Sequence, residues 1–159
     1  MKKIFWALVL LGAWFAHGRL VFAEDRLVQW LGQHEGQIWS GDSKACEAYT
    51  DNVEVSIRSD EREGDWEVEG GKEELCGYYH KASAAFALLD ASTHTEFSEV
   101  SVQRKGFPWT EAKLSYVARV TLQMPRLPDK HIVSHDQLTL VRTLQGLKIK
   151  SIESQSVQR

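Results

Sequence analysis

From Arg26 to Trp39, Leu27, Trp30, Leu31, His34 and Ile38 recur at three- and four-residue spacing, which predicts an amphipathic helix. Ser40-Gly41-Asp42 breaks it, and Asp42 or Ser43 can accept from the free amides of a second, short helix running through Tyr49. Asp51-Asn52 predicts a turn, after which Val53, Val55 and Ile57 alternate with Glu54 and Ser56 as a strand. Residues 58–65 are polar, and Arg58 to Glu63 mixes both signs of charge as a solvated loop does. Trp66-Glu67-Val68 predicts a second short strand before Gly70-Gly71. The longest helix then follows, with Glu73 and Glu74 in the first turn where the helix dipole favours acids. Leu75, Tyr79, Ala82, Phe86 and Leu89 mark its buried stripe, and it ends near Asp90-Ala91-Ser92.

The remaining third alternates as strands do. Between Lys113 and Met124, Leu114, Tyr116, Ala118, Val120, Leu122 and Met124 share one face, and Lys113, Ser115, Arg119, Thr121 and Gln123 share the other. That predicts a half-buried strand of an antiparallel sheet with Tyr116 and Val120 inside. Phe97–Gln103, Ile132–Leu144 and Leu147–Val157 flank it, the last two joined by a Gln145-Gly146 turn, and Pro125 to Asp129 is a loop. Helices first and strands last give an α+β class, with the helices on one face of a curved sheet.

The N-terminus follows a different grammar. Lys2 and Lys3 precede an uncharged run from Ile4 to Ala16, and Val21-Phe22-Ala23 stands before Glu24-Asp25 as a cleavage site. A bilayer-spanning helix needs about 20 apolar residues, and extending the run to Ala23 would bury His17 and Arg19. The expectation is therefore a cleaved signal peptide over residues 1–23, a single domain over 24–159, and a periplasmic or secreted product with no anchor. Removal takes away Lys2, Lys3 and Arg19 and no acid, so the net charge of −3 becomes −6. That sign opposes nucleic acid and anionic lipid as partners. Cys46 and Cys76 are the only thiols. Export favours a disulfide between them, and two separately buried thiols are the alternative.

The phrases Trp39-Ser40-Gly41-Asp42, Ala48-Tyr49-Thr50-Asp51-Asn52-Val53, Gly71-Lys72-Glu73-Glu74-Leu75 and Val141 to Ile149, in this order of elements, resemble the nuclear transport factor 2-like superfamily. Ketosteroid isomerases, scytalone dehydratases and SnoaL-like cyclases share that cone-shaped fold. The resemblance implies a curved antiparallel sheet with three helices packed on its concave face around an apolar pocket. The isomerase base would fall near Ile57, where no acid stands. The isomerase acid on a late strand falls at Asp136, and the first-helix tyrosine falls at His34.

Asp136 shares strand parity with Leu138, Leu140 and Leu144 and is expected to point inward. Facing His34, it would form a general acid/base pair near neutral pH. The rival reading makes His34 a hydrogen-bonded core residue and Asp136 a strand-end cap. Trp30, His34, Tyr116 and Asp136 are the expected lining of a cavity mouth, while Tyr49, Tyr79 and Phe86 are assigned to core packing. On the opposite sheet face, Val117 is the clearest apolar residue of the central strand, and the resemblance implies that this face serves a protein partner or a homodimer.

Neither metal nor cofactor is expected. His131 and His135 lie four apart on a strand, about 13 Å, and the phosphate-loop, nucleophile-elbow and Cys/His signatures do not occur. The functional expectation is an exported, noncatalytic binding or accessory domain for a protein or small apolar ligand. The alternative is a cofactor-independent lyase, dehydratase or isomerase using His34 and Asp136.

Overall fold

The computed structural model describes residues 2–60, 65–106, 109–125 and 127–158. Its elements run α1 (Lys2–Val21), α2 (Glu24–Ser40), α3 (Lys44–Glu47), β1 (Tyr49–Asp60), β2 (Trp66–Gly70), α4 (Lys72–Leu88), β3 (Ser92–Lys105), β4 (Glu111–Gln123), β5 (Lys130–Thr143) and β6 (Gly146–Gln158). The strands form one curved sheet in the order β2-β1-β6-β5-β4-β3. Only the β1–β6 pair is parallel; the other four are antiparallel. The α+β class and the helix-backed sheet are as expected, but several local assignments move.

The chain does not turn at Asp51-Asn52. β1 runs straight through them, and the polar pair sits where the β1–β6 register slips between Tyr49 and Glu54. Residues suited to a turn thus make a ladder irregularity, where one strand sheds its pairing without reversing. Lys72 Nζ holds Asp51 at 3.1 Å from the start of α4. Tyr49, expected in a helix, opens β1 instead and is 1% exposed. Arg58–Asp60 extend β1 rather than forming a loop, and residues 61–64 lie outside the described residues.

At 17 residues α4 equals α2 in length, so it is not the longest helix. Leu75 is fully buried and Phe86 half-buried, but Leu89 caps the helix at 54% exposure. Leu144, given inward parity on β5, lies beyond the strand in the turn to β6 and is fully exposed. α2 ends on Gly41 at φ 71°, a left-handed cap that glycine adopts without strain. Cys46 on α3 and Cys76 on α4 form a disulfide with Cα atoms 5.9 Å apart. It ties the short helix to the long one beneath the end of α2.

The core gathers Leu27 and Leu31 of α2, Leu75 of α4, and Leu114, Leu138, Leu140 and Ile149 of the sheet. Phe22 belongs to it too, at 0% exposure, with its carbonyl accepting from Arg104 at 3.1 Å. The end of α1 docks beside it. Phe15 stacks on Trp109 at 4.1 Å, and the Arg142 guanidinium lies 3.8 Å from the Trp14 ring centroid. The earlier part of α1 stands exposed, Ile4, Phe5 and Trp6 each above 60%, and the helix is long and apolar enough to cross a membrane.

Candidate functional site

Helices α2 and α4 close over the concave sheet face without filling it, leaving a cavity of about 200 Å³. Leu31 and Ile38 of α2, Phe97 of β3, Val120 of β4 and Leu138 of β5 supply apolar wall. Into that wall the strand registers set a row of polar groups. Tyr116, Asp136 and Ser154 are direct cross-strand neighbours on β4, β5 and β6, so all three project to the same face.

Asp136 is inward, as its parity with Leu138 and Leu140 requires. Its Oδ2 accepts from Ser134 Oγ at 2.9 Å, its Oδ1 accepts from Ser154 Oγ, and the Tyr116 hydroxyl donates to the same carboxylate. Burial pushes the Asp136 carboxyl above the ordinary range, and these three donors partly offset it by favouring the charged form. Tyr116 is in turn driven well above the usual tyrosine value, first by burial and then by the neighbouring Asp136 charge.

His34 comes from the buried stripe of α2 and is 7% exposed. Its Nε2 lies 2.8 Å from Tyr49 Oη, and burial pushes its pKa down to about 4, so the ring is neutral at physiological pH. Nδ1 has no partner. Tyr49 also shares a hydrogen bond with Tyr79 of α4, whose pKa rises to about 12 through burial. With one hydroxyl hydrogen between two neighbours, Tyr49 donates to one and accepts from the other.

His34 and Asp136 thus line the same cavity but are not bonded to each other. Each is held by its own partners, the histidine by Tyr49 and the acid by Tyr116 and two serines. Trp30 does not line the cavity as expected. It stacks on the His34 ring at 5.3 Å and 9°, a wall behind the histidine rather than a face of the site. Tyr49 and Tyr79, assigned to core packing, do line it, as does Glu35, which the helical pattern placed on no functional face. Glu35 Oε1 accepts from Thr95 Oγ1 and, at 3.2 Å, from Trp39 Nε1. A tryptophan four residues after a glutamate on a helix is the sequence signal for that pair.

The outer sheet face is also unlike its expectation. Val117 is 6% exposed, at the floor of an open hollow of about 600 Å³ rimmed by Arg58, Glu99, His135, Gln137 and Glu153. Its cross-strand partners Ser98 and His135 are polar, and the neighbouring side chains cover Val117, while Val157, two positions from Gln155 along β6 on the same face, stays exposed. Among the described residues no group of three or more His, Cys, Asp or Glu is placed to hold a metal ion.

No family model and no curated protein sequence matches the chain. Solved structures do. The chain is similar to a scytalone dehydratase-like protein from Novosphingobium aromaticivorans, at 13% identity and TM-score 0.61 over 84% of this chain and 81% of that one. It is similar to the benzoate 1,2-dioxygenase beta subunit of Burkholderia mallei, at 8% identity and TM-score 0.68 over 87% and 91%. A cystatin-like-fold protein of N. aromaticivorans gives 14% identity and TM-score 0.60 over 90% and 86%. At these identities the likeness is one of fold.

Proposed function

We propose, for a chain with the nuclear transport factor 2-like cone fold, an exported domain that binds a small, largely apolar ligand in the cavity under α2 and α4. The observation that carries this reading is the half-buried row Tyr116–Asp136–Ser154, a few convergent polar groups set into an apolar wall. That is the usual composition of a small-molecule site. Export is supported by the apolar α1 behind Lys2 and Lys3 and by the Cys46–Cys76 disulfide, a bond that persists in oxidising compartments. The polar hollow around Arg58, His135 and Glu153 supports a protein partner, or a second copy, on the outer face less directly.

A second reading is a cofactor-independent lyase, dehydratase or isomerase. It is favoured by Asp136, a carboxylate facing the cavity whose pKa burial raises, so that it takes up a substrate proton more readily than an exposed aspartate does. The separation of His34 from Asp136 weighs against the two working as one acid/base pair.

The experiment is titration of the purified domain with small apolar and carbonyl compounds, following the Tyr79 and Tyr116 ring signals and product formation. Saturable shifts at those tyrosines without turnover fit the binding domain. Turnover lost in both His34→Ala and Asp136→Ala moves the assignment to the enzyme.

A further inference from the structure

The charge of the cavity is one-sided. Two carboxylates line it, Asp136 and Glu35, and among the described residues no lysine or arginine does. His34 is neutral, and every hydrogen bond described for the two acids comes from a neutral hydroxyl or indole N–H: Ser134, Ser154 and Tyr116 at one, Thr95 and Trp39 at the other. The positive influence at Asp136 comes from His135, the next residue along β5, whose side chain belongs to the opposite face. Both acids also act on Tyr79 and Tyr116. Such a field repels anions and attracts cations, the more so where water is scarce.

Size and walls narrow the cation. A dry cavity of roughly 150 Å³ takes a benzene ring, so about 200 Å³ holds one ring with a short substituent. Trp39, Phe97, Tyr79 and Tyr116 supply ring faces and edges, which favour a cation near them.

We propose that the cavity takes a small primary amine on a single ring, bound as its ammonium cation with the nitrogen at Asp136, Glu35 adding to the attraction and the ring against Phe97 and Leu138. The proposal rests on the reading of this cavity as a ligand site. An ammonium group has three donors and no acceptor, the complement of a carboxylate. It also relieves the cost of a buried acid that has hydrogen bonds but no counter-charge.

The test compares benzylamine, benzyl alcohol and benzoate, one skeleton with three charges, by NMR titration of the disulfide-bonded protein at neutral pH. The amine is expected to bind about tenfold or more tighter than the alcohol, the yield of one charge-assisted contact, with benzoate weakest and shifts centred on Tyr79 and Tyr116. In Asp136→Asn the amine should fall to within about threefold of the alcohol, and in Glu35→Gln the preference should shrink. Should Asp136→Asn fail to fold, the Glu35→Gln ratio and the wild-type order still decide. Equal binding of amine and alcohol overturns the amine proposal and leaves the ligand site standing. An amine preference untouched by Glu35→Gln and by a folded Asp136→Asn overturns it as well. Binding of none of the three overturns the site reading itself.

Discussion

Tyr116 and Asp136 stand directly opposite each other on β4 and β5, and the tyrosine hydroxyl donates to the aspartate carboxylate inside the cavity. The bond favours the ionised acid against the burial that opposes it, so Tyr116→Phe should raise the Asp136 pKa further. Carboxyl-carbon NMR titration checks the direction. An unchanged midpoint would mean the serines alone set the acid's charge.

His34 makes stability depend on pH. Its folded pKa of about 4 lies below the ordinary histidine value of 6.5, so between these values the unfolded chain binds more protons and stability rises with pH. The contribution is fully present above the unfolded value and is lost as pH falls towards the folded one, about 3 kcal/mol in all. Asp136 acts in the opposite sense: its folded pKa is raised, so its contribution is lost as pH rises through that value. Urea melts across pH 4 to 7 should show a slope that His34→Gln flattens. An identical slope in the variant would assign it to other groups.

Much of this was legible in the sequence, for reasons that also mark the limit. The alternation from Lys113 to Met124 gives both the β4 strand and its inner face, because strand period and sheet burial are the same signal. Parity and the family resemblance both lead to Asp136. The sequence pattern puts Tyr49 and Tyr79 in packed core because one apolar face serves equally for packing and for a cavity wall; only the gap between α2, α4 and the sheet distinguishes them. The same limit hid the cover over Val117, since parity names a face and not the neighbours that close it.

The two faces of that limit can be separated on β4. Leu114 is fully buried in the core, whereas Val120, on the same face, borders the cavity and is half-buried. Leu114→Ala should cost about 2–5 kcal/mol, as large-to-small changes in a packed core do. Val120→Ala should cost clearly less, because the space beside it is already open. Chemical denaturation of the two variants is the measurement, and equal losses would mean that Val120 is packed core.

The Cys46–Cys76 bridge closes a sequence separation of 30 residues. By loop-closure entropy it contributes roughly 3–4 kcal/mol before strain. Reductant should lower the melting temperature, and thiol labelling of the unfolded, unreduced protein should find neither cysteine reactive. Superimposable melts with two labelled thiols would mean that Cys46 and Cys76 are separate buried thiols.

Phe22 tests the leader and the fold together. Cleavage after Ala23, expected from Val21-Phe22-Ala23, makes Glu24 the mature N-terminus, and the mass of the exported protein reads this directly. The same cut removes a side chain that is 0% exposed among Leu27, Tyr49 and their core neighbours, together with the carbonyl that Arg104 holds. Burial of a phenylalanine is worth about 1.5–3 kcal/mol, so the domain beginning at Glu24 should melt below the full-length chain held in detergent. Phe22→Ala in the full-length chain should lower its melt in the same direction. A product that begins at Met1 and stays with membranes would instead make α1 an anchor whose last turn plugs the core. A Glu24 product whose melt equals that of the full chain would show that the core closes without Phe22.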